Sequence, residues 1–487
     1  MILLWLIAIL MIGGTLCWLL AQWHRQLPKW IALGTTLLGF VLTMVLALQF
    51  HSATAAGDNG WMHFQVNWIP SFGISFHLAA DGLSVVMLLL TFFLAVLSVL
   101  CSWNEIREKR GFYFFNLLWT LAGICGVFVA VDMFLFYFFW EVMLVPMYFL
   151  ISIWGDSNRR YASLKFFLFT QAGGLLMLLS ILALYFIHAQ QTGIFSFDYF
   201  DLLNTRSEAH TAKWIMMGFM IAFMIKLPVV PLHNWLPDAH SEAPTAGSLI
   251  LAGLLLKTGA YGIIRFVLTL FPREAETFGW WAMLLGAFGI LYGAFLAFAQ
   301  TDLKRLIAYT SVSHMGFVLL GIFSFNSIAM QGVVLQILTH GISTGALFVI
   351  AGMLKERLHT RDINQMGGLW TAMPSMGGFA MVFTMASLGL PMLGNFVAEF
   401  LVLIGAFASN AWLTVLATLG LVFSALYALR MMQKVFLGTP TATVPLQDLN
   451  VREWAMMVVL TGSIVFLGLF PQPVIDMVNS LAQKVLK

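Results

Sequence analysis

Charged residues are scarce in this sequence. Only 24 Lys and Arg and 21 Asp and Glu occur among 487 residues, so 9% of the chain is charged, whereas the share in soluble domains is roughly a quarter. Hydrophobic residues make up 61%. A water-soluble fold would have to expose too much of that apolar surface, which excludes soluble enzymes. The net charge of +3, without a block of like charge, leaves no basic face for a nucleic acid.

Cysteine and cofactor motifs are scarce as well. The three cysteines, Cys17, Cys101 and Cys125, are scattered without CxxC spacing, so we interpret them as packing residues rather than redox or metal-binding groups. The sequence has no GxGxxG motif after a strand, no P-loop and no cysteine cluster. It therefore predicts no metal site and no site for NADH, flavin or an iron–sulfur cluster in this chain.

Apolar runs, in contrast, are abundant. A bilayer span needs about 20 such residues, and we count about fourteen spans, which predicts an all-α polytopic membrane protein. The first run lacks a basic start and a small-residue cleavage site, so we interpret it as a helix rather than a signal peptide. The predicted spans are residues 2–20, 30–50, 80–102, 111–131, 133–153, 162–188, 213–230, 245–270, 279–299, 303–323, 326–353, 376–408, 411–433 and 454–471.

Positive residues predict the orientation, because Lys and Arg that flank short loops stay in the cytoplasm. Sixteen of them flank the connections after odd-numbered spans and three flank those after even-numbered spans, which predicts that both termini lie outside the cytoplasm. The long connection 51–78 has no Lys or Arg and falls on the outer side. The sixteen are Arg25, Lys29, Arg107, Lys109, Arg110, Arg159, Arg160, Lys165, Lys304, Arg305, Lys355, Arg357, Arg361, Arg430, Lys434 and Arg452, and the three are Arg206, Lys213 and Arg273.

Six ionisable residues lie well inside predicted spans, at comparable depth on six different helices. An ionisable group near the bilayer centre costs on the order of 3 kcal/mol, so each needs a reason. One reading is that they hold helices together by hydrogen bonds. Groups of alternating sign are also what proton movement through a membrane requires, since lysines, carboxylates and histidines can pass protons through water. The six are Glu141, Lys226, Lys257, His314, His340 and Glu399.

Other polar residues have simpler interpretations. Arg265 is expected to snorkel or to form a structural pair. Asp81 and Asp132 precede spans and are interpreted first as helix caps, with pairing of Asp132 to a cation near Glu141 as the alternative. Lys165 either snorkels or supplies a supporting charge.

The connection 231–248 departs from the positive-inside pattern, because it has two histidines and two acidic residues but no Lys or Arg. We interpret it as a turn of defined geometry. His233 and His240 are placed too irregularly for a metal site, which leaves proton uptake or capping as their expected roles.

Two spans contain proline in corresponding places, at 226–231 and 388–394. Proline removes a backbone donor and clashes with the preceding turn, so the seventh and twelfth helices should break there. Matching broken helices indicate an inverted repeat with its site near mid-membrane. The expected organisation is 1–110 for the first three helices, 111–270 and 271–437 for two inverted five-helix repeats, and 438–487 for the last span and the tail.

Four segments together carry a resemblance that covers essentially the whole chain. They are FFWEVMLVPMYFLI at 138–151, PLHNWLPDAHSEAPTAGS at 231–248, LLLKTGAYG at 254–262 and AQTDLKRLIAYTSVSHMGF at 299–317. The chain resembles the proton-translocating, antiporter-like subunits of bacterial respiratory complex I, the NADH:quinone oxidoreductase. Glu399 stands where most of these subunits have lysine, and the long lateral helix of subunit L does not follow the last span.

The resemblance implies a role for each buried residue. Glu141 and Lys226 would form the charge pair of an input half-channel, Lys257 the central relay and Glu399 the output group. His314 and His340 would be further relays or would organise water.

It also implies the setting of the chain. FMN, iron–sulfur clusters, NADH and quinone would be bound by partner subunits, with no cofactor in this chain. The partners would be other complex I subunits, especially the neighbouring antiporter-like subunits L and N, in the bacterial inner membrane, with both termini periplasmic. A cation/proton antiporter and a non-conducting structural subunit remain as alternatives.

Overall fold

The computed structural model describes residues 1–55, 61–439 and 446–484. Helices dominate, because a bilayer offers the backbone no hydrogen-bond partner and a helix satisfies its own peptide groups. We label them α1 Ile2–Leu20, α2 Leu27–Ala55, α3 Gly82–Glu105, α4 Arg110–Val129, α5 Met133–Trp154, α6 Arg159–Thr192, α7 Ala209–Lys226, α8 Trp235–Glu242, α9 Thr245–Leu270, α10 Pro272–Ala299, α11 Leu303–Ile322, α12 Ser327–Leu358, α13 Pro374–Ser387, α14 Gly394–Ser409, α15 Ala411–Val435, α16 Val451–Leu469 and α17 Gln472–Lys484. One-turn helices lie at Tyr199–Leu202 and Leu369–Ala372, and 3-10 turns at Pro70–Phe72 and Ile363–Gln365.

In the described part of the chain, 12 helices are long and apolar enough to span a membrane: α1 to α6, α9 to α12, α15 and α16. The predicted seventh span corresponds to α7, and the predicted twelfth to α13 and α14 together. The all-α membrane fold is thus confirmed, while the total of fourteen spans stays a prediction.

Both predicted helix breaks are present. Helix α7 ends at Lys226, and α13 ends at Ser387, with six residues between it and the start of α14 at Gly394. The connection 231–248 is more than the turn we expected, because it contains the helix α8 and the start of α9.

The connection 51–78 also differs from the expected loop. Strands β1, Met62–Ile69, and β2, Ile74–Ala80, pair antiparallel, and Gly73 turns the chain between them with φ of +67°. Aromatic and β-branched residues, which favour strands, are frequent here. Residues 56–60 of this connection lie outside the described residues.

The hairpin β1–β2 lies on one face of the bundle with the connections after α4 and α6, and we call this the hairpin face. Asp132 caps α5 through the backbone N–H groups of Phe134 and Leu135, as predicted, and its Oδ2 accepts a bond of 2.8 Å from the Ser75 N–H in β2. His77 in β2 is 2.5 Å from Asp198, which follows α6. Connections after even-numbered spans therefore meet here.

The opposite face, the basic face, joins connections after odd-numbered spans. Asp156, after α5, forms ion pairs with Lys355 in the last turn of α12 and with Arg361, which follows that helix. Arg361 also lies 3.0 Å from Asp302, which caps α11. Connections after odd-numbered and even-numbered spans thus lie on opposite faces. The predicted orientation depends on this alternation.

The centre of the bundle is formed by α9 and α12. The most apolar stretch of each helix is entirely buried inside the bundle. In α2 and in α16, only about a third of the corresponding stretch is buried. A polar side chain on α9 or α12 is therefore held away from lipid, among other helices.

Candidate functional site

Lys257 on α9 lies at the centre of the bundle and is fully buried. Its Nζ is 2.6 Å from Nδ1 of His340 on α12 and donates a 2.7 Å hydrogen bond to the carbonyl oxygen of Ala252. Both contacts lie within protein, so the amine is held in one orientation toward the histidine.

The backbone of α9 widens on both sides of Lys257. Segments Leu251–Leu255 and Ile263–Val267 are π-helical, with the α-helical turn that carries Lys257 between them. Such π-turns are rare and frequently mark functional sites. Nothing in the sequence pattern predicted them.

A row of four buried side chains continues from Lys257 across the bundle. The ring centroids of His340 and His314 are 5.4 Å apart, and Nδ1 of His314, on α11, is 3.0 Å from Oε1 of Glu399 on α14. We call Lys257, His340, His314 and Glu399 the central row. Four of the six predicted site residues are thus brought together, with an amine at one end and a carboxylate at the other.

Three further polar residues surround the far end of the row and were missed in the sequence. Gln336 donates to Glu399 Oε1 at 3.2 Å, while Ser387 Oγ and the Tyr427 hydroxyl lie 3.2 and 3.4 Å from Nε2 of His314. Gln336 could have been found, because it precedes His340 by four residues and so shares its helix face. Ser387 and Tyr427 carry no such signal.

Glu141 and Lys226, the expected charge pair, are not in direct contact. Lys226 Nζ has no hydrogen-bond partner among the described residues and lies 5.3 Å from the ring centroids of both Trp140 and Phe166. Glu141 accepts a 3.3 Å bond from Gln171. Lys226 is fully buried, whereas Glu141 is half-buried, so the two charges interact through the protein without direct contact.

The acidic residues of the 231–248 connection are neutralised by cations from other elements. Asp238 on α8 lies 2.6 Å from Lys165 and 2.8 Å from Arg305, and Glu242 lies 3.2 Å from Arg361. Lys165 therefore supplies a supporting charge rather than snorkelling. This explains why a connection without Lys or Arg can lie on the basic face.

Arg265 forms a structural pair, the second of its two expected roles. Its guanidinium is buried, lies 2.5 Å from Asp81 and stacks 4.6 Å from the ring centroid of Trp61. Asp81 also caps α3 by accepting from the Ser84 N–H. The pair joins the hairpin-face end of α9 to the start of α3.

The histidines of the hairpin face form a separate group. His63 Nδ1 lies 3.1 Å from Nε2 of His77. Burial lowers the pKa of His63, and the neighbouring His77 lowers it further. No hydrogen bond in the described residues connects this pair to the central row.

His233 and His240 are both buried, and neither ring has a hydrogen-bond partner in the described part of the chain. The ring of His240 stacks on Phe348 with centroids 4.8 Å apart. Across the described ranges no three His, Cys, Asp or Glu side chains are placed to share a metal ion.

Comparison with known proteins agrees with this architecture. Residues 130–424 match the family described as NADH:quinone oxidoreductase/Mrp antiporter, TM. The NADH-quinone oxidoreductase subunit M of Pseudomonas aeruginosa is 53% identical, over 98% of this chain and 96% of its own length. The protein of the same name from Escherichia coli K12 is 51% identical, over 99% and 96%.

A solved structure supports the same relationship. A chain of respiratory complex I from Thermus thermophilus with bound NADH superposes with a TM-score of 0.89, at 31% identity and with all of both chains covered. The chain therefore belongs to the NADH:quinone oxidoreductase/Mrp antiporter family of transmembrane proteins, among the relatives named subunit M of NADH-quinone oxidoreductase.

Proposed function

We propose that this chain moves protons across the membrane as a subunit of an NADH:quinone oxidoreductase, respiratory complex I. The central row carries the proposal: Lys257, His340, His314 and Glu399 follow one another on four helices. Their sequence of amine, two imidazoles and carboxylate provides groups that can each bind and release a proton. The relatives are named as subunits of NADH-quinone oxidoreductase, which supports the proposal that this chain works within such a complex.

Histidine suits the middle of such a row because each ring has two nitrogens. A proton that arrives on Nδ1 of His340 from the Lys257 ammonium leaves the amine neutral, and the ring can release its other proton from Nε2. His314 then receives a proton on one nitrogen and delivers to Glu399 from the other. Glu399 is the proposed output group.

Glu141 and Lys226 are proposed to control the loading of Lys257 from the side. Helices α7 and α9 pack closely at Gly259, where a Cβ atom would lie 2.6 Å from the carbonyl oxygen of Phe223. A change in the charge of Glu141 or Lys226 is therefore transmitted to Lys257 through protein of low dielectric constant.

Partner subunits are proposed to bind NADH, FMN, the iron–sulfur clusters and quinone, and those groups supply the electron transfer that drives pumping. Subunits L and N are the proposed neighbours. Exposed apolar side chains on the outer helices, including Trp412 on α15, suit contact with lipid or with such neighbours.

The proposed location is the bacterial inner membrane, with both termini in the periplasm. The basic face would then be cytoplasmic and the hairpin face periplasmic. Helices α4 to α9 would form one repeat and α10 to α15 its inverted copy, each with a broken helix, within domains 1–110, 111–270, 271–437 and 438–487. Residues 440–445 and 485–487 of the last domain lie outside the described residues.

Membranes carrying Lys226→Ala, Glu141→Ala or Glu399→Ala provide the test. We expect each variant to assemble and to lose at least about tenfold in proton pumping and quinone reductase activity, because each removes a proton-carrying or loading charge. Pumping is measured by quenching of a ΔpH-sensitive dye, and assembly by the amount of intact complex recovered from the membranes.

Other outcomes would support other functions. If pumping and assembly survived all three substitutions, the proton-relay function would be rejected. Loss of assembly alone would indicate a structural subunit. Sodium-dependent transport by the reconstituted protein would indicate a cation/proton antiporter.

A further inference from the structure

Two histidines meet on one side of the hairpin β1–β2, away from the central row. In the strand register His63 is paired with Ala79, and Gln65 is paired with His77. His63 and His77 are therefore diagonal neighbours on the same side of the hairpin, where side chains can reach one another. Nδ1 of His63 lies 3.1 Å from Nε2 of His77. The two residues are 14 positions apart in the sequence, so strand pairing is what brings them together.

Asp198 determines which nitrogen of His77 faces His63. Nδ1 of His77 lies 2.5 Å from Oδ2 of Asp198. Because a carboxylate only accepts hydrogen bonds, Nδ1 carries the hydrogen, and Nε2 of the neutral ring has a lone pair directed at His63. Histidines that bind metal ions through one nitrogen usually donate from the other to a carboxylate in this way.

The distance between the two facing nitrogens suits a metal ion. Zinc binds imidazole nitrogens at about 2.0–2.1 Å, so two of them at a tetrahedral angle lie about 3.3–3.4 Å apart. The 3.1 Å between the His63 and His77 nitrogens is close to this separation, and only a small ring movement admits the ion. Imidazole is a ligand for zinc and similar transition metals, whereas calcium and magnesium take oxygen ligands.

The packing around the two rings leaves one side open to water. His77 is 5% exposed, whereas His63 is an exposed residue. The ring centroid of Phe200 lies 5.4 Å from that of His63 and 5.8 Å from that of His77. Phe200 therefore limits the rotation of both rings, while the exposed side of His63 gives a hydrated ion access and leaves room for water ligands.

The charges near the two histidines also favour a cation. The Asp198 carboxylate is in direct contact with His77. The guanidinium of Arg265 lies on the other side of Trp61 and is paired with Asp81 at 2.5 Å, so its positive charge is compensated. A positive ion between the rings thus has a carboxylate behind it and no uncompensated charge from Arg265 opposing it.

We propose that His63 and His77 bind a divalent transition-metal ion such as zinc, with Asp198 holding His77 in place. The ion is bound by Nδ1 of His63 and Nε2 of His77, and water completes its coordination. The hydrogen on Nδ1 of His63 moves through solvent to Nε2 of the same ring, so the pair releases no net proton. Such a site differs from the groups of three ligands that the described residues do not form. It goes beyond proton movement, since it uses no residue of the central row.

Titration of the purified full-length chain with zinc chloride, in competition with a chromogenic zinc chelator, tests the site. We expect one zinc ion to bind the unchanged chain, and His63→Gln to weaken this binding by at least about tenfold. Asp198→Asn should weaken it about 10–100-fold, because the carboxylate orients His77. His210→Gln is the matched control: His210 is an exposed histidine at the start of α7, which also lies on the hairpin face, and its loss should leave zinc binding unchanged.

X-ray absorption at the zinc edge identifies the ligands directly. We expect two imidazole nitrogens at about 2.0–2.1 Å in the unchanged chain. In His63→Cys a thiolate takes the place of one ring, so zinc should still bind, with one sulfur at about 2.3 Å. His63 is exposed, so neither of its substitutions removes a core contact.

Three results would overturn the metal site. One is zinc binding by His63→Gln that equals that of the unchanged chain, and another is a zinc spectrum without two imidazole ligands. The third is loss of binding in both His63→Gln and His63→Cys, which would mean that the hairpin is disturbed rather than deprived of a ligand. None of these results bears on proton pumping, because zinc binding alone is measured.

Discussion

Lys257→Met abolishes proton pumping in membranes that carry the assembled complex, with an expected loss of about a hundredfold or more. Methionine fills most of the space of the lysine side chain but has no proton to give. The substitution removes the 2.6 Å contact with His340, so protons cannot enter the imidazole part of the row. Dye quenching and quinone reductase rates measure the loss, and the amount of assembled complex is determined beside them.

Lys29→Met is the matched control for this prediction. Lys29 is also a buried lysine, 5% exposed, but it lies on α2 with its Nζ 5.3 Å from the ring centroid of Trp103, outside the central row. The same chemical change there should leave pumping within about a factor of two, because a cation–π contact contributes only about 1–2 kcal/mol. Equal losses in both variants would mean that Lys257 acts through stability rather than through proton transfer.

The fold was predictable to the extent that it depends on apolar length and proline. A span must be about 20 residues long, and proline prevents the helical hydrogen bond, so the breaks after Lys226 and Ser387 could be placed from the sequence. The hairpin β1–β2 was missed because its connection has no Lys or Arg and we judged it by charge alone. Strand pairing in it depends on aromatic and β-branched residues.

The site was predictable as a set of residues but not as a geometry. The free-energy cost of an ionisable group inside the bilayer indicated Lys257 and Glu399 individually. Only the packing of four helices brings them into one row. Lys304 gave no such signal, because residues at helix ends are ordinarily solvated. It is buried because the start of α11 packs against α8 and the connection to α9, where its Nζ donates to the Ala243 carbonyl oxygen, and no local pattern encodes that packing.

Arg265→Met is expected to have the largest effect on stability. Its guanidinium is 2% exposed and lies 2.5 Å from Asp81, so the substitution leaves a carboxylate buried without its cation. Breaking a buried ion pair in this way costs about 3–5 kcal/mol. We expect little assembled complex in the membrane and a markedly lower midpoint of thermal unfolding in detergent.

The double variant Asp81→Asn with Arg265→Met identifies the cause of that loss. Asparagine can still accept the hydrogen bond from the Ser84 N–H that caps α3, but it carries no charge. Because the penalty arises from the unpaired carboxylate, the double variant should assemble better than Arg265→Met alone and melt at a higher temperature. If the two variants were equally unstable, the loss of stability would instead come from the stacking of the Arg265 side chain on Trp61 and from its packing against neighbouring residues. In that case Arg265→Lys, which keeps the charge but not the planar guanidinium, would be as damaging as Arg265→Met.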